Sequence, residues 1–207
     1  METDEEQVEK LRKWWEENGR AVITGLVLGV VGLFGYRYWV DRQEAIAEAA
    51  SVHFTEMVKA HETGDSGSIV GQAEILIADY SDTEYATLAR FALARNFVAS
   101  EEYDQAQQQL EQIVGTAGTS PLGYLARKRL ASVQLQLAQP DRALATLAVE
   151  FPSAFSAEIE ELKGDIYASQ GNLSEAANAY RRAQGGEPAP ANREFIQQKI
   201  DDLGVAG

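Results

Sequence analysis

Residues 163–188 read KGDIYASQGNLSEAANAYRRAQGGEP. Gly164, Tyr167, Ala176, Tyr180 and Ala183 place small and aromatic side chains at helical spacing on both sides of Gly171-Asn172, a turn signal. Pro188 follows as a stop. Two antiparallel helices cross closely where the residues between them are small, and an aromatic fills the space beside the crossing. The stretch therefore predicts a helix–turn–helix unit. Such a unit cannot bury its apolar face alone, so copies are expected elsewhere in the chain.

Thirty-three residues earlier, Ala131 and Ala143 take the places of Gly164 and Ala176, and Leu147 that of Tyr180. A further 37 residues back, Ala94, Phe97, Ala106 and Leu110 play the same parts. Another 33 brings Ala73 and Ile77 into register, in a unit whose first helix is less regular. These are the small and aromatic positions of the 34-residue tetratricopeptide pattern, with Lys163 where that pattern usually has an aliphatic residue. Turn residues at Gly64, Gly67, Ser81-Asp82, 115–121, Pro140-Asp141, Pro152, Gly171-Asn172 and 185–190 imply helices of about 10–18 residues. The expected fold is all-α, an α-solenoid of three to four degenerate tetratricopeptide-like helix pairs. Residues 192–203 are predicted to cap it, with Phe195 and Ile200 covering its end.

Ahead of the array, residues 21–36 read AVITGLVLGVVGLFGY without a charge, and Arg37 is the only charge before Asp41. Taken to Val40 the run spans about 30 Å as a helix, the thickness of a hydrocarbon core. Trp14 and Trp15 precede it, and Tyr36, Tyr38 and Trp39 close it, as aromatics do at membrane interfaces. Bulky aromatics stand where a signal-peptide cleavage site needs small residues, so an uncleaved anchor is predicted. Lys10, Arg12, Lys13 and Arg20 lie before the run, against Arg42 and Lys59 in the twenty residues after it. That bias, reduced by Arg37, predicts a cytoplasmic N-terminus and, in a bacterial inner membrane, a periplasmic C-terminal domain. The expected division is a short cytoplasmic amphipathic segment (1–20), a transmembrane anchor (21–40) and a repeat domain (41–207). Val8, Leu11, Trp14 and Trp15 share one side of a short helix expected to end near Asn18-Gly19 and to lie on the membrane surface or dock a partner. Gly25, Gly29 and Gly32 form one face of the anchor, where another helix could approach closely; glycine is also simply common in such helices.

The chain of 207 residues carries 18 Lys+Arg against 32 Asp+Glu, a net charge of -14, which argues against nucleic-acid binding. It has no cysteine, which excludes disulfides and thiolate chemistry, and only two histidines. His53 and His61 are too far apart for a two-histidine metal site, and Glu101-Glu102, Glu160-Glu161 and Asp201-Asp202 are adjacent carboxylates that diverge on a helix. No phosphate-binding glycine loop, nucleophile elbow or metal motif occurs. A non-enzymatic protein without catalytic residues, metal or cofactor is expected.

Stacked helix pairs leave a concave surface lined by the first helix of each pair. In this register the groove positions are Leu88, Phe91, Arg95 and Val98, then Leu125, Lys128, Ser132 and Leu135, then Glu158, Glu161 and Asp165. The lining is mixed and lacks the Lys/Asn set that clamps acidic C-terminal tails; several of these residues could instead pack between repeats.

The stretch EEQVEKLRKWWEENGRAVITGLVLGVVGLFGYRYW (5–39), followed by this array, resembles the YfgM family. The likeness is strongest in ENGRA, LVLGVVGLFG and YRYW, and continues more weakly through ALARNFVASEEYDQAQQQL (92–110). The resemblance implies an inner-membrane protein with one anchor and a periplasmic repeat domain. It implies partners as well: the SecYEG translocon, the membrane-anchored periplasmic chaperone PpiD and unfolded secretory chains. It brings no catalytic residues. The expected function is a membrane-tethered scaffold linking protein export to periplasmic chaperones. The alternatives are a repeat adaptor in another envelope assembly, or a regulator acting through residues 1–20.

Overall fold

The computed structural model describes residues 4–186 and 189–204, with the side chains of Asp4 and Glu5 excepted. Pro188, the stop in the opening stretch, lies outside the described residues. Among those described there are nine α-helices and no strand: α1 (Asp4–Thr63), α2 (Ser66–Asp79), α3 (Glu84–Ala99), α4 (Tyr103–Ala117), α5 (Pro121–Gln136), α6 (Pro140–Thr146), α7 (Ser156–Ser169), α8 (Leu173–Gln184) and α9 (Arg193–Asp202). A 3-10 turn, Ser153–Phe155, precedes α7. Contacts divide the chain into two units, one ending at Ser51 and the other beginning at Val52.

The described residues of the first unit form a single helix. No end occurs near Asn18-Gly19, where one was expected. Asn18 keeps its side chain within the helix, donating from Nδ2 to the Trp14 carbonyl at 3.0 Å, and the Trp15 indole lies over the bare Gly19 backbone. Both breakers are thus absorbed by neighbours one turn back, so their low helix propensity is outweighed. The helix also passes unbroken through residues 20 and 40. It is long and apolar enough to cross a membrane, and only 6% of its most apolar window is buried, unlike a core helix of a soluble protein.

The second unit is built from four helix pairs closed by one repeated turn. Asp65 N–H donates to the Ala60 carbonyl, Glu102 to Phe97, Gln139 to Gln134 and Asn172 to Tyr167, each at 2.8–2.9 Å. The residue before each donor is left-handed: Gly64 (φ 72°), Glu101 (61°), Ala138 (55°) and Gly171 (74°). A six-to-one bond with a left-handed residue beneath it is the Schellman ending of a helix. Its recurrence at steps of 37, 37 and 33 residues defines the pairs as residues 52–63 with α2, α3 with α4, α5 with α6, and α7 with α8.

Counted from these turns, Gly164, Ala131, Ala94 and Met57 are equivalent on the first helices, and Tyr180, Leu147, Leu110 and Ala73 on the second; all are buried. The two columns compensate in size: Gly with Tyr, Ala with Leu twice, Met with Ala. Close packing at constant total volume explains why no single residue marks the repeat. The expected register of the first pair is corrected by one turn. Ile69, not Ala73, corresponds to Ala106, and Ala73 corresponds to Leu110; Leu76 is fully buried while Ile77 is half-exposed.

Among the described residues, Met57, Ile69, Ala73 and Leu76 are buried in the first pair, and three apolar clusters follow along the array. Ala94, Ala106, Leu110 and Ile113 join Ala126, Leu130 and Val133; Ala131, Ala143 and Leu147 join Ile159 and Ile166; Ala176, Tyr180 and Ala183 join Ile196 and Ile200. α9 caps the array, as expected, with Ile200. Its second covering residue is the fully buried Ile196, however, and Phe195 is 53% exposed. Ile196 and Ile200 are one turn apart and share a face, from which Phe195 is rotated away.

Candidate functional site

The first helices of the pairs form two separate grooves within the second unit. One lies between residues 54–61 of α1 and α3, encloses about 440 Å³, and is walled by Phe54, Met57, Val58, Ile69, Leu88, Ala92 and Ala99. His61 and Arg95 stand on its rim. Phe54 is held in place by the Tyr85 ring, 5.3 Å between centroids. The other groove lies between α5 and α7, has a volume of about 570 Å³, and is bordered by the strap Ala189–Pro190–Ala191–Asn192. Lys128, Ser132, Glu158, Glu161 and Asp165 line it.

The second groove is acidic and tied by ion pairs. Lys128 pairs with Glu158 across the groove. Lys199 reaches from α9 to Glu161 at 2.9 Å and Asp165 at 2.7 Å. Burial opposes the charge on Lys199, but the hydrogen bonds to Asp165 and Glu161, and the charges of both carboxylates, hold its pKa above the ordinary lysine value. Asn192 Nδ2 donates to Glu161 at 2.9 Å and anchors the strap. Tyr180 donates its hydroxyl to Asp165 at 2.7 Å. Burial, then that bond and the carboxylate charges, push the phenol well above the ordinary tyrosine range. Also on α7, but not lining the groove, Glu160 accepts from Lys163 at 2.8 Å and Arg182 at 2.6 Å. Burial alone would raise its pKa, and the two cations reverse that and hold it low.

The expected groove residues separate into three sets. Leu88 and Arg95 line the apolar groove; Lys128 and Ser132, with Glu158, Glu161 and Asp165, line the acidic one. Val98 is exposed and lines neither. Phe91, Leu125 and Leu135 are corrected. Phe91 is 7% exposed in the core cluster, with the Arg129 guanidinium 5.0 Å above its ring, and Leu125 packs against the same cluster. Leu135 packs against the cluster of Ala131 and Ile159. An apolar side chain at a pair-to-pair contact gains more by filling the seam than by facing water. The wall supplied by residues 54–61 escaped the sequence reading, because the first pair was placed one turn out of register.

Neither histidine has a metal-site partner of the expected kind among the described residues. His53 Nδ1 is 2.9 Å from Gln72 Oε1 and its ring lies against Tyr80; His61 is exposed. In the first unit, a Cβ built on Gly25, Gly29 or Gly32 would meet nothing within 4 Å, so this stripe presents bare backbone.

A family model described as a tetratricopeptide repeat-like domain matches residues 12–205. The ancillary SecYEG translocon subunit of Escherichia coli (strain K12) is 34% identical over 204 residues, covering 99% of this chain and 98% of that protein. That of Haemophilus influenzae is 32% identical, covering 97% of each. That of Neisseria gonorrhoeae is 28% identical, again covering 97% of each. Among solved structures, the MamA protein superposes with a TM-score of 0.62 at 17% identity, covering 76% of this chain and 81% of the other, a likeness of fold alone.

Proposed function

The chain belongs to the family of ancillary SecYEG translocon subunits built on a tetratricopeptide repeat-like domain, and on that footing we propose that it is a non-enzymatic adaptor linking the Sec translocon to periplasmic chaperones. Its anchor sits in the bacterial inner membrane, with residues 1–20 in the cytoplasm and residues 41–207 in the periplasm. The four basic residues before the apolar run, against two after it, support that orientation. The glycine stripe at Gly25, Gly29 and Gly32 offers the translocon a surface for close helix packing. The grooves of the repeat unit receive a membrane-anchored chaperone such as PpiD, or unfolded secretory chains.

The observation that carries this reading is identity along nearly the whole length, anchor included, to relatives named as translocon subunits. Photo-crosslinking in intact cells tests it, with probes at Gly29, Leu88 and Ser132. Translocon subunits are expected at Gly29 and a periplasmic chaperone at Leu88 or Ser132. Crosslinks confined to unrelated envelope proteins would overturn the translocon role, and translocon crosslinks without a chaperone would overturn the link to chaperones.

A further inference from the structure

We propose that the groove between residues 54–61 and α3 docks an acidic amphipathic helix of a partner protein, its apolar side chains in the groove and its carboxylates toward Arg95. The inference takes from the adaptor reading only that the repeat unit binds a protein. Two of its walls are helix faces, and Ile69 of α2 supplies a third. Phe54, Met57 and Val58 follow the three-and-four spacing of one face, and Leu88, Ala92 and Ala99 that of the other. From Leu88 to Ala99 the groove runs about 16 Å along the helix, room for two to three turns of a bound helix and the three anchors such a helix presents. The small side chains of Ala92 and Ala99 leave the space open, and the contact of Phe54 with Tyr85 keeps one wall formed without a partner. A cavity of about 440 Å³ with fixed walls falls within the range of preformed binding pockets.

Charge selects the occupant. Among the described residues, the titratable ones lining this groove are His61 and Arg95, and no carboxylate does so. Asp65, in the adjoining turn, accepts from the Ser68 amide at 3.1 Å and from its hydroxyl at 2.6 Å. Arg95 is exposed and makes no ion pair among the described residues. In a chain of net charge -14 an apolar groove with a cationic rim stands apart, and the neighbouring groove, lined by Glu158, Glu161 and Asp165, repels the same ligand.

The test uses the full chain in lipid nanodiscs and fluorescence anisotropy of two labelled twelve-residue peptides. Both carry leucines at i, i+3 and i+7; one has glutamates at its remaining positions and the other lysines. The glutamate peptide is expected to bind saturably, above the background of empty nanodiscs. Arg95→Glu should weaken it about tenfold while Arg181→Glu, at an exposed position of α8 that lines neither groove, leaves it unchanged. Arg95 is exposed, so its replacement does not threaten the fold, and unaltered thermal melting of the variant confirms that. Absence of saturable binding, or Arg95→Glu without effect, overturns the proposal. Preference for the lysine peptide overturns the charge assignment and with it the proposal. These outcomes are independent of the cellular crosslinks on which the translocon reading stands.

Discussion

Gly164→Ala adds one methyl group at the crossing of α7 and α8. A Cβ there would stand 2.3 Å from Tyr180 Cε1 and 2.4 Å from Cδ1, more than 1 Å inside ordinary contact. The ring has little freedom to retreat: it is 3% exposed, its hydroxyl is bound to Asp165, and Ala176, Ala183, Ile196 and Ile200 share its cluster. Overpacking of this kind costs about 3 kcal/mol, the upper end of the usual range. Replacing glycine within a helix returns about 1 kcal/mol. The net loss is about 2 kcal/mol, or about 4–8 °C in melting temperature for a chain of this size. In a Tyr180→Leu background the clash is gone and the pair becomes Ala–Leu, as at Ala131 with Leu147 and Ala94 with Leu110. There the same substitution should stabilise by about 1 kcal/mol, giving a coupling of about 3 kcal/mol in the double-mutant cycle. Thermal circular dichroism of the four full-length proteins in one detergent measures it, with hydrogen exchange in α7, α8 and α9 to localise the effect. Equal effects of Gly164→Ala in both backgrounds would refute the argument from compensating pairs.

Other consequences can be checked separately. Glu101→Gly and Ala138→Gly relieve side chains from left-handed backbone and should each raise stability by about 0.5–1 kcal/mol in denaturant titrations, whereas Gly171→Ala should lower it by about 1 kcal/mol. The lowered pKa of Glu160 means that its contribution is present above its ordinary value of 4.5 and is lost as pH falls through the folded value. Glu160→Gln should therefore melt below the wild type at pH 7, and the two should converge at low pH. The raised pKa of Lys199 has the opposite sign: its hold on α9 is complete below 10.5 and is lost as pH rises through the folded value. Exchange protection of α9 should thus be lower in Lys199→Met than in the wild type at pH 7. Because the chain has no cysteine, Glu9→Cys and Ser132→Cys each create one thiol. With the outer membrane permeabilised, an impermeant maleimide should label the second and not the first, and the reverse pattern would invert the proposed orientation. Gly29→Leu should leave the melting of the repeat unit unchanged while reducing translocon crosslinks at neighbouring positions of the anchor.

The sequence alone determined the helical class, the apolar helix and the repeat. These depend on local spacing: a charge-free run long enough to span a bilayer, and small and aromatic residues alternating around a glycine turn. The acidic residues Glu158, Glu161 and Asp165 were also legible as groove residues, because a charged side chain on a first helix has few places to go but outward. Tertiary structure decided the rest. Phe91 and Leu135 have the same spacing and polarity as Leu88, yet two of the three fill seams and one lines a groove. Which of these happens depends on the rotation between successive pairs, which no single pair encodes. The first pair's register was hidden for a related reason. Its large residue, Met57, sits on the first helix and its small one, Ala73, on the second, reversing the Gly164–Tyr180 order, and a pattern search that fixes size to position steps past it by one turn. The reach of Lys199 from the cap to Glu161 and Asp165 spans more than thirty residues of sequence. Only the folding of the cap onto α7 brings those three charges together.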